Sequence, residues 1–88
     1  MNTQNKKPFF STDNLCLGTF LKAKNCKLLH ITRKTPKHAF FNFEDSSKRE
    51  VLTRKFWNET ASVEPRSFWV AQRELKTFLY DKSYPTKK

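Results

Sequence analysis

The sequence predicts a small single α+β domain, an antiparallel β-hairpin packed with three helices in the order α-β-β-α-α. Three observations lead there. Apolar residues recur at helical spacing between capping signals over residues 12–24, 47–58 and 65–82. Two short apolar runs, 26–33 and 38–44, flank the turn sequence "TPK" and read as a hairpin. The chain has 88 residues, enough for one core that buries only roughly 60–65% of the unfolded surface.

The first eight residues, "MNTQNKKP", read as a flexible basic arm, residues 9–82 as the compact domain, and 83–88 as a flexible basic tail. Ser11 offers an N-cap for the first helix, with Thr12, Asp13 and Asn14 in its first turn. Leu17, Phe20, Leu21 and Lys24 then share helical spacing, with Leu15 and Cys16 alongside. Gly18 weakens such a helix by about 1 kcal/mol relative to alanine and suggests a closely packed neighbour. Asn25 suits the left-handed position that ends it. In the hairpin, alternation groups Leu29 with Ile31 on one face and Leu28 with His30 on the other. The returning strand sets Phe41 and Phe43 with Ala39, and Phe40 with His38 and Asn42. Ser47 and Glu50 suggest a capping box for the second helix, whose apolar line is Val51, Leu52 and Phe56. Pro65 suits the first turn of the third, where Phe68, Ala71 or Gln72, Leu75, Phe78 and Leu79 face the core.

Charge is the main functional signal. Eighteen Lys and Arg against eight Asp and Glu give +10, and the segment between Asp13 and Glu44 holds six cations and no acid. Such a field favours a polyanion or an acidic protein surface, although a basic protein can also be merely solvated. Arg33, Lys34 and Lys37 cluster around the hairpin turn, where phosphate contact is an economical use for them. Phe40 is the extra aromatic of "HAFFNFE". It is a stacking platform if all three helices lie on one side of the hairpin, and a core residue if one helix covers the other side. On the platform reading Leu28, His30, His38, Phe40 and Asn42 line the free face beside Lys27. Trp69, Arg73, Lys76 and Tyr80 form a second stripe on the last helix, apart from its core line. Rings interleaved with cations suit bases and phosphates, but the same rings can cover a small core with the cations extending past them. Lys48, Arg49, Arg54 and Lys55, mixed with Glu50 and Glu59, read as an ordinary solvated face with ion pairs.

Other classes find little support. One glycine, Gly18, leaves no phosphate-cradling loop. The carboxylates sit at helix starts and in charge pairs, and His30 and His38 would meet across the hairpin as a polar contact rather than an acid–base couple. Cys16 and Cys26 lack the ligand count of a zinc site, and both read as reduced core thiols. Neither a signal peptide nor an apolar run near 18 residues is present, so a cytoplasmic protein with no membrane association is expected. No cofactor, metal or small-molecule substrate is expected.

"PFFSTDNLCLGTFLKAKNCKLL", "AFFNFED" and "VEPRSFWVAQRELKTFLY" resemble, over roughly residues 8 to 80, a small family of bacterial and phage proteins catalogued as a domain of unknown function. The matching features are Phe10, Ser11 and Asp13 at the start, Phe41, Phe43 and Asp45 at the strand end, and Arg73, Glu74, Leu75 and Lys76 near the close. The family's usual glycine after the first helix is Asn25 here. The resemblance implies the architecture and no activity. The expected function is non-catalytic nucleic-acid binding through basic backbone contacts and aromatic stacking. The alternative is a small interaction module, such as a phage factor docking on an acidic host protein.

Overall fold

The computed structural model describes residues 9–35, 38–80 and 86–87. The elements are β1 (Phe9–Thr12), α1 (Leu15–Ala23), β2 (Leu28–Thr35), β3 (His38–Glu44), α2 (Ser47–Trp57), α3 (Pro65–Tyr80) and β4 (Thr86–Lys87). The α+β class, the hairpin and the three helices match the expectation. The order gains a strand in front. Ser11 does not cap a helix; residues 9–12 pair antiparallel with β3, Phe10 opposite Phe43 and Thr12 opposite Phe41. Pairing with a central strand outweighs the local capping signal, and the cap moves to Asn14. Its side-chain oxygen accepts from the Leu17 amide at 2.9 Å, and Thr12 Oγ1 accepts from the Asn14 amide at 3.1 Å. In the expected carboxy-terminal tail, Thr86–Lys87 pair parallel with Ile31 and Thr32 of β2. The arm, residues 1–8, lies outside the described residues, as do residues 81–85.

The sheet order is β1-β3-β2-β4. Both β1 and β2 run antiparallel to β3, so they are parallel to each other with β3 inserted between them: a split β-α-β unit. Strand β2 carries one extra residue between Leu28 and His30 and another between Arg33 and Thr35. The first bulge corrects the expected faces. It lets Leu28 and Ile31 both turn to the core side, opposite Phe43 and Phe41, and leaves Leu29 off the core.

Leu17, Phe20 and Leu21 of α1, Ile31, Phe41 and Phe43 of the sheet and Leu75 of α3 form the core; Leu52 and Phe56 of α2 and Phe68, Phe78 and Leu79 of α3 pack around it. All three helices therefore serve one face of the sheet. Cα extents of 37 × 35 × 18 Å leave room for one sheet layer and one helix layer. Lys22 fastens α1 to α3 through Glu74 at 3.0 Å.

Both early helices end without glycine. Asn25 takes φ 70° and Glu59 φ 60°. Cys26 N–H donates to Leu21 O and Asn25 N–H to Lys22 O, and the same pair of bonds recurs from Thr60 to Lys55 and Glu59 to Phe56. Helix α2 is capped by Ser46, whose Oγ accepts from the Arg49 amide at 3.1 Å, and not by Ser47. The shift by one residue puts Arg49, rather than Glu50, at the third helical position, so no capping box forms. Glu64 caps α3 by accepting from the Ser67 amide at 2.8 Å, and its backbone hydrogen bonds hold its carboxyl below the ordinary range.

Gly18 is the close neighbour its sequence position suggests. A Cβ there would lie 3.3 Å from Phe41 Cδ2 and 3.6 Å from Leu75 Cδ1. Gly18→Val is expected to lower stability by about 1–3 kcal/mol through overpacking, read as a lower urea midpoint at unchanged slope.

Candidate nucleic-acid interface

The second face of the sheet has no described helix over it. Strand pairing places Phe9 and Ser11 of β1, Phe40 and Asn42 of β3, and His30 and Thr32 of β2 on that face. A polar clamp runs across its middle. The Ser11 hydroxyl donates to Asn42 Oδ1, and Asn42 Nδ2 donates to Thr32 Oγ1 at 2.9 Å and His30 O at 3.1 Å. Asn42 is 1% exposed and fully engaged, so it fixes three strands rather than offering itself to a ligand.

Two aromatic pairs flank the clamp. Phe9 meets His30 edge to face with centroids 5.0 Å apart, and His38 lies against Phe40, also at 5.0 Å. Phe9 pairs with Glu44, so the two clusters are separated by four residues of β3, or about 13 Å. Lys34 sits at the second bulge with its Nζ 5.9 Å from the Phe40 centroid. His38 Nε2 is 2.8 Å from Asp13 Oδ2. His30 and His38 do not meet across the hairpin as expected, because the bulges set His30 opposite Asn42 and His38 opposite Thr35.

The candidate residues divide by location. Phe40 and Lys34 lie together on the open face, Phe40 half-buried and Lys34 exposed. Lys27 is exposed just before β2, at the far end of the sheet, where its carbonyl accepts from the Glu44 amide at 2.9 Å. Lys37 lies outside the described residues. Arg33 is not a free loop cation: it is paired opposite Ala39 on the core side and donates to the Leu79 carbonyl at the end of α3. That contact satisfies a terminal carbonyl with a cation, the favourable sign for a helix C-terminus. Trp69, Arg73, Lys76 and Tyr80 are all exposed on α3. Arg73 stacks 4.9 Å from the Trp69 ring centroid. Because Ala71 and Leu75 point α3 into the core, Trp69, Arg73 and Lys76 face away from the sheet and do not join the open face, whereas Tyr80, at the helix end, lies with His38 at the start of β3.

The chain matches the family model for a domain of unknown function, DUF5659, over residues 7–81. It belongs to that family. No curated protein and no solved structure matches it. The match spans β1, β2, β3 and all three helices but not β4, so the residues of the open face belong to the family domain.

Phe9, Ser11 and Thr32, which share the face with Phe40, are not among the residues the sequence points to. Their signal is the alternation of Phe9, Phe10, Ser11 and Thr12, which competes with the helix cap suggested by Ser11. Arg49, read as part of a solvated face with pairs, does pair with Asp45 at 2.8 Å, but it is half-buried and lies 4.0 Å from the Phe10 centroid. Trp57, 60% exposed on α2, was not singled out either.

Among the described residues, no group of three or more His, Cys, Asp or Glu is placed to hold a metal ion, and no helix is long and apolar enough to cross a membrane. The two thiols differ, which corrects the expectation that both are core residues. Cys16 is exposed, while Cys26 packs against the core and burial raises its pKa, partly opposed by Lys48 and Arg49. Less Cys26 is therefore thiolate at neutral pH. Limited alkylation of the native protein is expected to modify Cys16 first, with Cys26 following at higher pH or in denaturant, as read by peptide mass spectrometry.

Proposed function

We propose that this domain binds single-stranded nucleic acid on the open face of its sheet, without catalysis. The observation that carries the reading is the pair of ring clusters, Phe9 with His30 and His38 with Phe40, on a sheet face that no described helix covers. Open sheets bearing aromatic rings are a common way to hold unstacked bases, because every base has a π-face while a duplex presents none. Charge supports the same reading. A net charge of +10 attracts a polyanion, and Lys34 stands beside Phe40 where a stacked base would bring its phosphate. The protein-partner alternative rests on Trp69 and Trp57, exposed on the helices, and predicts binding independent of the sheet.

Fluorescence anisotropy with a labelled mixed-sequence single strand tests the proposal. With about three phosphate contacts, the slope of log affinity against log salt is expected near −2, taking roughly −0.7 per contact for single strands. Lys34→Ala is expected to flatten that slope by about 0.7. A response that ignores salt, or a clear preference for duplex, would overturn the reading.

A further inference from the structure

A cavity of about 350 Å³ opens at the end of the sheet nearest Phe40, where the hairpin meets the last turn of α3. Its floor is apolar, formed by Leu15 of α1, Ala39 and Phe41 of β3, and Leu79 of α3. Its rim is polar and aromatic: Asp13, Arg33, His38 and Tyr80. His38 belongs to two places at once. Its ring lies 5.0 Å from Phe40 on the open face, and it lines this cavity. His38 thus joins the open face to the cavity mouth at the start of β3.

We infer that this cavity receives one unstacked nucleobase of the strand bound on the open face, an inference that rests on the nucleic-acid reading above. The volume lies at the lower end of small-ligand pockets, roughly 300–1,000 Å³, which suits a single heterocycle rather than a whole dinucleotide. An apolar floor within a polar rim matches a base, whose faces are apolar and whose edge carries donors and acceptors. Asp13 accepts from amino and imino groups on such an edge, and Arg33 donates to ring nitrogens and carbonyls. A phosphate fits poorly, because the Asp13 carboxylate on the rim would repel it. Tyr80, 83% exposed, supplies a ring at the mouth against which the base can lie. The cavity thus adds base readout at one position to a platform that holds the others by stacking alone.

Positional abasic scanning of an eight-nucleotide single strand tests this, with affinities measured for the full chain and for Tyr80→Ala, Asp13→Ala and Phe40→Ala. Tyr80 and Asp13 are exposed, so their replacement leaves the core intact. One abasic position, adjacent to those whose effect depends on Phe40, is expected to weaken binding about tenfold. Tyr80→Ala is expected to weaken the intact strand by a similar factor, and then to make that abasic position silent, the signature of a coupled pair. Asp13→Ala is expected to reduce the discrimination among bases at the same position. If the Tyr80→Ala and abasic losses simply multiply, or if neither Tyr80→Ala nor Asp13→Ala has an effect while Phe40→Ala does, the cavity takes no base and the platform reading stands. If Phe40→Ala is silent as well, or if no strand binds, both inferences fall.

Discussion

Phe41→Ala is expected to cost about 3–5 kcal/mol, enough to leave much of an 88-residue chain unfolded. The ring is 3% exposed and meets Gly18 of α1 at a point where Leu75 of α3 also packs, so truncation opens a cavity where two helices meet the sheet. Neither helix can close in easily. Strand β3 is held on both sides by pairing, and α1 is fixed to α3 through Lys22 and Glu74. Chemical denaturation would show the loss directly. A destabilisation below about 1 kcal/mol would mean that the helices do not pack on the sheet as described.

Phe40→Ala is expected to give the opposite result one residue away. Phe40 is half-buried, lies on the open face and takes no part in the core cluster, so the urea midpoint is expected to move little. Binding of a single strand is expected to weaken by about 1–3 kcal/mol, the loss of one stacked base. The pair of variants is informative because both remove the same ring. A shared loss of stability would make Phe40 a packing residue. A stable Phe40→Ala variant with unchanged affinity for single strands would remove the sheet from consideration and leave the exposed α3 stripe of Trp69, Arg73, Lys76 and Tyr80.

Periodicity made the helices and hairpin legible, since Leu17, Phe20 and Leu21, or Leu75 with Phe78 and Leu79, can share a face in only one regular structure. Strand β1 was harder to read, because four residues are too few for alternation to outweigh a serine followed by an aspartate. Its pairing energy comes from β3, remote in the chain. The same remoteness hid the clamp: nothing local to Ser11 or Thr32 announces that Asn42 joins them. Bulges at Leu29 and Lys34 changed the face assignments for a related reason, since a counting rule of two assumes that paired strands keep equal length. The cationic turn was legible as a cluster, and its Lys34 lies 5.9 Å from the Phe40 centroid. Arg33 leaves that cluster, because its partner is a backbone carbonyl of α3, and only the folded chain brings Leu79 to it.

The insertion of β3 between β1 and β2 also sets the order in which the open face can be assembled. Only two residues separate strands β2 and β3, so the His38–Phe40 end can form early and locally. Strand β1 must return across α1 and the whole hairpin before Thr12 meets Phe41, and the loop-closure entropy falls on a partner only four residues long. As an edge strand it belongs among the segments that open most readily in the native state. Each opening withdraws Phe9 and releases Ser11 from Asn42, while His38, Phe40 and Lys34 stay in place. The face thus has one half held by the hairpin alone and one half that depends on the pairing of β1. A strand long enough to reach Phe9 would bind one of these states better than the other, and would hold β1 in the sheet by mass action.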